Sequence, residues 1–274
     1  MNVLILMRKE IQEGLRNRWV LATTLLLAAL ALSLTFLGSA PVGNVGASAL
    51  DVVIVSLSSL TTFLVPLIAL LISHDAIVGE MERGTMPLLL SYPVTRWQVM
   101  VGKFLGHLGI LAFATLLGYG AAALALAATG AVIDAASWWA FGSMILSSIA
   151  LGAVFVAIGY LVSALVRQRG TAAGIAIGVW LVFVLLYDMA LLGILVVDQG
   201  RTIGAGMLNA ALLLNPTDSY RLLNLGSEGA SSVSGMAGVV ENTSLSPVVL
   251  AAALMAWILV PLVAAMLVFS RKEL

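Results

Sequence analysis

Six apolar runs, each about twenty residues long and nearly free of charge, divide this chain: roughly 19–37, 52–73, 104–128, 140–166, 172–197 and 248–269. An α-helix rises about 1.5 Å per residue, so about 20 residues cross the hydrocarbon core of a bilayer. Backbone polar groups in lipid must bond within their own segment, which demands helices. An all-α integral membrane protein with six transmembrane helices is therefore predicted. Composition agrees: only 9% of the 274 residues are charged, against about 25% in a soluble domain. Too little polar surface is left to face water.

The basic residues set the orientation. Arg8, Lys9, Arg16, Arg18, Arg83, Arg96, Lys103, Arg167, Arg169, Arg271 and Lys272 fall on one side of the six runs, which is eleven of thirteen. Arg201 and Arg221 are on the other side, in its one long loop. The positive-inside rule places the eleven, and both termini, in the cytoplasm. The first run is longer than the apolar part of a signal peptide and follows many charges, so no cleavage after 38–49 is expected. A net charge of zero gives no case for nucleic-acid binding. The absence of cysteine removes disulfides and thiol chemistry.

Between the spans the text is more specific. Residues 1–18 carry Leu4, Met7, Ile11 and Leu15 at helical spacing, opposite Arg8, Lys9, Gln12, Glu13 and Arg16. This pattern predicts an amphipathic helix in the membrane interface; the plainer reading is a positive flank to the first span. Residues 74–103 are far longer than a turn requires. Asp75, Glu80 and Glu82 extend the second helix, and Gly84 ends it in a left-handed conformation. Thr85-Met86-Pro87 starts a short helix carrying Leu88, Leu89 and Leu90, stopped by Pro93. Those leucines need cover, which the protein's own first helix, the headgroups or a groove on another subunit would equally supply. Thr95 to Gln98 fits a capping box, and Ser246-Pro247 opens the last span. Trp19, Trp138 and Trp139 fall where aromatic belts are expected.

The outer loop, 198–247, starts amphipathic from Met207 to Leu214 and turns at Asn215-Pro216. Asp218 is read as the cap of a second short helix holding Tyr220, Arg221, Leu222, Leu223 and Leu225, and a flexible small-residue stretch follows Gly226. Half of this loop is expected to lie on the membrane surface. Tyr220 and Arg221 are residue types enriched at interface hot spots, which makes the loop a candidate docking surface; a cover over the outer mouth is the plainer reading. Gly170, Gly174 and Gly178 line one helix face, and Gly102 and Gly106 another. Packing within the chain is expected of both, a dimer interface being the alternative.

The segment 74–103 resembles the coupling region of type-2 ABC exporter permeases. Its matching residues are Glu80, Glu82, Arg83, Gly84, Thr85, Leu88, Leu89, Leu90, Ser91, Pro93, Arg96, Gly102 and Lys103. RKEIQEGLRNRW at the start, SHDAIVGE, and LLLNPTDSYRLLNLG in the outer loop are similar to the permeases of nitrous oxide reductase maturation systems. The resemblance covers nearly the whole chain as a single permease domain, 1–274. It implies a type-2 exporter fold with an N-terminal elbow helix, in the bacterial inner membrane and paired with a second copy. It also implies a cytoplasmic ATPase on Glu80 to Arg96, and a periplasmic β-helix copper-handling partner. Asn215, Pro216, Asp218, Tyr220 and Arg221 are the candidates to dock that partner. The exported species, sulfur or copper, is left open, as is transmission of force without cargo.

Other chemistry is thin. Gly102-Lys103 lacks the remaining Walker A residues, so ATP hydrolysis is expected only in a separate subunit. Met100, Lys103 and His107 share a helix face, yet most of the eleven methionines are core filler, and no metal or cofactor is assigned. Asp188, beside Tyr187, is the one clear ionisable group within a span, and bonding to Tyr or Ser hydroxyls is expected. A proton- or ion-coupled secondary transporter, the other class considered, would need several such groups. An intramembrane protease would need a base at membrane depth, and His74 and His107 are near the boundary.

Overall fold

The computed structural model describes residues 2–16, 18–37, 49–130, 134–198, 204–225 and 245–272. Within these it is helical throughout: α1 (Asn2–Leu15), α2 (Arg18–Leu37), α3 (Ala49–Ser73), α4 (Val78–Glu82), α5 (Thr85–Leu90), α6 (Arg96–Ala128), α7 (Ala135–Leu165), α8 (Arg169–Leu181), α9 (Tyr187–Asp198), α10 (Ala205–Leu214), α11 (Pro216–Leu225) and α12 (Pro247–Arg271). A π-helical turn, Val182–Leu186, joins α8 to α9. Among the described residues, five helical stretches are long and apolar enough to cross a membrane. The pair α1–α2, bent by 70°, makes a sixth if taken as one span. The small-residue stretches 38–48 and 226–244 lie outside the described residues.

Several ends are set by the chemistry anticipated above. Gly84 has φ 69°, a left-handed conformation that costs glycine little, and there the chain turns from α4 into α5. Thr95 and Gln98 complete a capping box at the start of α6. The Ser246 hydroxyl accepts from the Val249 amide, with Pro247 in the first turn of α12. The cap of α11 differs from expectation. Asn215 Oδ1 accepts from the Thr217 amide at 3.1 Å, so Asn215 holds this end, and Asp218 lies within the first turn.

The most buried helix is α7, packed between α3 and α12, while α6 packs against α1 and α2. Packing without a hydrophobic drive needs close approach, and α7 supplies it through Gly159, where a Cβ would meet the Ser73 side chain of α3. Gly102 and Gly106 do the same for α1: a Cβ on Gly102 would come within 2.7 Å of Leu6, and one on Gly106 would run into Glu10. These two glycines pack within the chain, as expected. The groove they form also fixes how α1 is turned. Leu6 and Glu10 face α6 and Ile11 reaches Gly109, whereas Leu4 of the apolar stripe is exposed.

The second glycine set behaves differently. A Cβ on Gly170, Gly174 or Gly178 would meet no atom within 4 Å. Their assignment to packing within the chain is corrected: α8 presents them to the outside. Only 6% of the most apolar stretch from α8 to α9 is covered by the rest of the chain.

The outer loop also departs from expectation. Instead of lying on a surface, α11 is inserted among α3, α7 and α12. Its polar residues find partners there, which is why insertion is tolerated. Tyr220 bonds Ser148 of α7 at 2.9 Å, and Asn224 accepts from Ser147 at 3.0 Å.

Candidate functional site

The segment from His74 to Lys103 is held to the bundle by polar contacts that neighbouring sequence does not announce. The first amides of α4 lack a local cap. Ser163 of α7 provides one, its hydroxyl accepting from Ile77 and Val78, each at 3.0 Å. Asp75 pairs with Arg169 at 2.6 Å, and Glu82 accepts from the Arg169 amide at 2.8 Å, a carboxylate on the N-terminus of α8.

At the centre stands Lys103. Its ammonium is 2.8 Å from Glu10 of α1 and 2.7 Å from Glu80 of α4, with its own side chain on α6 and only 4% exposed. Three elements are thereby tied by one buried cation. Burial, the largest influence on Glu10, raises its pKa, but Lys103, His107 and Lys9 together pull it below the ordinary glutamate value. His107 Nδ1 bonds the Tyr160 hydroxyl at 2.8 Å, and its Nε2 is 3.9 Å from Glu10. No group of three or more His, Cys, Asp or Glu suited to a metal occurs among the described residues. The ammonium occupies the middle of the cluster instead.

Two other cations close helix ends. Arg96 Nη1 donates to the carbonyls of Phe269, Ser270 and Lys272 at 2.8 to 3.0 Å, capping α12. Lys272 Nζ donates to Ala164 and Val166 at the end of α7. Arg96, a candidate for ATPase contact, is thus engaged within the chain.

The remaining coupling candidates divide by exposure. Met86 is fully buried and Leu89 and Leu90 pack against the core, while Leu88 is 65% exposed. Arg83, Gly84, Thr85, Ser91 and Pro93 are exposed beside it, and Tyr92 and Trp97 add two exposed rings. So α5 is anchored by three apolar residues and shows one leucine outward. Glu80 and Glu82 are engaged as described. The short helix is presented on a mount that reaches α1, α6, α7 and α8.

The docking candidates lie elsewhere. Asn215, Pro216, Asp218 and Tyr220 are buried. Asn215 Nδ2 and Thr217 Oγ1 both donate to the Phe183 carbonyl in the π turn, each at 3.1 Å. Arg221, partly exposed, bridges Asp188 at 2.8 Å and Asp218 at 3.1 Å. Asp188 therefore has an arginine partner where hydroxyls were expected. Direct docking through Tyr220 or Asn215 is corrected: these side chains hold α11 inside the bundle.

Sequence reading missed Glu10 and Lys103 as one site. The available signal was a lysine between the capping box and the apolar run 104–128.

The model of the ABC-2 family transporter proteins matches residues 4–274. A probable ABC transporter permease protein NosY of Stutzerimonas stutzeri is 48% identical over 267 residues, covering 97% of this chain and 96% of the relative. Its namesake in Pseudomonas aeruginosa is 47% identical over 268 residues, 97% of each chain.

Proposed function

This chain belongs to the ABC-2 family of transporter proteins, and from that premise we propose that it joins a separate ATPase to the copper-site assembly of nitrous oxide reductase. It is a multi-pass membrane permease, a kind of subunit that is generally not itself catalytic. ATP hydrolysis is assigned to ATPase subunits seated on α5. Two copies pair in the bacterial inner membrane, each with six spans, an elbow helix α1 and cytoplasmic termini. The nitrous oxide reductase role rests on the resemblance of the opening helix and the outer-loop text.

One observation carries the coupling: the buried Glu10–Lys103–Glu80 bridge behind an exposed Leu88. A push on α5 passes across the Gly84 turn into α4 and from there through the buried bridge to α6 and α1. At the far end α11 is wedged among α3, α7 and α12, so a movement of those spans would carry it. That arrangement supports delivery of motion to a periplasmic β-helix partner, with export of a sulfur or copper species as the alternative output.

The test is Leu88→Asp. Placing a carboxylate in an apolar groove costs several kcal/mol, so the ATPase is expected to be lost on purification while the permease remains in the membrane. Leu89→Asp, half-buried against the core, is expected to lower the permease level instead. Full ATPase retention by Leu88→Asp would overturn the assignment.

A further inference from the structure

A recess of about 630 Å³ opens at the basic end between α4, the α7–α8 turn and the end of α12. Its apolar wall is Val78, Met81 and Val166, and its cations are Arg167, Arg271 and Lys272. Among the described residues Glu82 is the one carboxylate on the lining, and it accepts from the Arg169 amide at 2.8 Å. Arg167 and Arg271 are exposed and make no ion pair among the described residues. Lys272 is committed to the α7 carbonyls. Burial first, then the charge of Arg167, holds it below the ordinary lysine value. Two guanidiniums without an ion-pair partner among the described residues, beside a third cation, leave the recess with positive charge that suits an anion.

The surroundings say which anion. On α12, Val260, Val263 and Leu267 are exposed by 67%, 49% and 56% and fall on one stripe at helical spacing. Arg271 is the next residue on that stripe, one turn beyond Leu267. An apolar track thus ends at a guanidinium. A soluble phosphate has no use for the track, whereas a lipid uses both.

We propose that this recess binds the headgroup of an acidic phospholipid, with Arg167 and Arg271 on the phosphate oxygens and an acyl chain along Val263 and Leu267. Guanidinium suits the phosphate because it offers paired donors. The site touches α4 and the end of α12, so an occupied recess would brace the segment that carries α5. This holds whatever the complex moves.

Native mass spectrometry of the purified complex tests it, with phosphatidylglycerol and phosphatidylcholine added in equal amounts. The native protein is expected to retain phosphatidylglycerol preferentially. Arg167→Gln/Arg271→Gln is expected to lower that retention about thirtyfold, the combined effect of removing two basic residues near the membrane surface, with phosphatidylcholine unchanged. Arg167→Lys/Arg271→Lys should keep most of the preference. If the double variant does not fold, Arg271→Gln alone is read the same way. Equal retention of the two lipids by the native protein would overturn the proposal. So would displacement of phosphatidylglycerol by millimolar inorganic phosphate, which marks a soluble-phosphate site. Loss of the ATPase with lipid preference intact would mark a protein contact, and would also overturn it.

Discussion

Lys103 stands between Glu10 and Glu80 at a depth where little water reaches any of the three. Such a bridge is asymmetric in energy. Removing one partner leaves uncompensated buried charge, costing about 3–5 kcal/mol, whereas removing all partners together is often nearly neutral. Lys103→Met is therefore expected to lower the thermal midpoint in detergent sharply. Glu10→Gln/Lys103→Met/Glu80→Gln should recover most of the loss. Glu10 was hard to read because it sits in a charged stretch with Arg8, Lys9 and Glu13, as a surface charge would. Its inward turn comes from the glycine groove of α6. At the other end, burial and then the charge of Asp188 push Asp218 up to about 7, against the pull of Arg221 and Asn215. The sign follows: an acid whose folded pKa is raised costs nothing below its unfolded pKa of about 4 and destabilises as pH climbs through 7. Asp218→Asn is expected to raise stability relative to the native protein more at pH 8 than at pH 5. Thermal unfolding across a pH series reads this directly, and an equal gain at both would refute it.

Among the elements, α1 shows how small residues direct assembly in lipid. It is short, and its helical character was legible from spacing alone. Its partner was not, although Gly102 and Gly106 had been recognised as a packing face. Gly106→Leu would place a branched side chain where Glu10 now stands. α1 is expected to leave α6, taking Glu10 from Lys103, and the α1 amides should exchange hydrogen at least tenfold faster, as a locally opened helix does. Exchange mass spectrometry measures that, and unchanged protection would mean α1 is held by other contacts. The helix α11 teaches the converse lesson. Its amphipathic pattern suits a membrane surface and a bundle interior equally well. Tyr220 and Asn224 decide for the interior because Ser148 and Ser147 of α7 wait there with hydroxyls.

Taken whole, the molecule is unevenly covered. α3 and α7 are well surrounded, while α8 and α9 are left almost bare. A bare apolar helix with Gly170, Gly174 and Gly178 on an open face fits the pairing of two copies proposed above. Gly174→Leu tests this without endangering the single chain, since an added Cβ there meets nothing within 4 Å. The expected result is a shift from dimer to monomer by light scattering in detergent, with helix content retained. A dimer unaffected by Gly174→Leu would move the interface elsewhere.

Sequence by itself determined the class of this protein, its apolar runs, its caps at Thr95 and Ser246 and the left-handed turn at Gly84. These depend on the solvent or on residues a few positions apart, and both are written locally. Tertiary structure alone decided that Lys103 meets Glu10, 93 positions away. It also decided that Leu88 rather than Leu89 faces outward, and that α11 is inserted rather than laid flat. Each of those outcomes depends on which helix face meets which. In a chain this apolar nearly every face is greasy enough to be buried, so the choice falls to a few glycines and buried polar partners supplied from elsewhere in the fold.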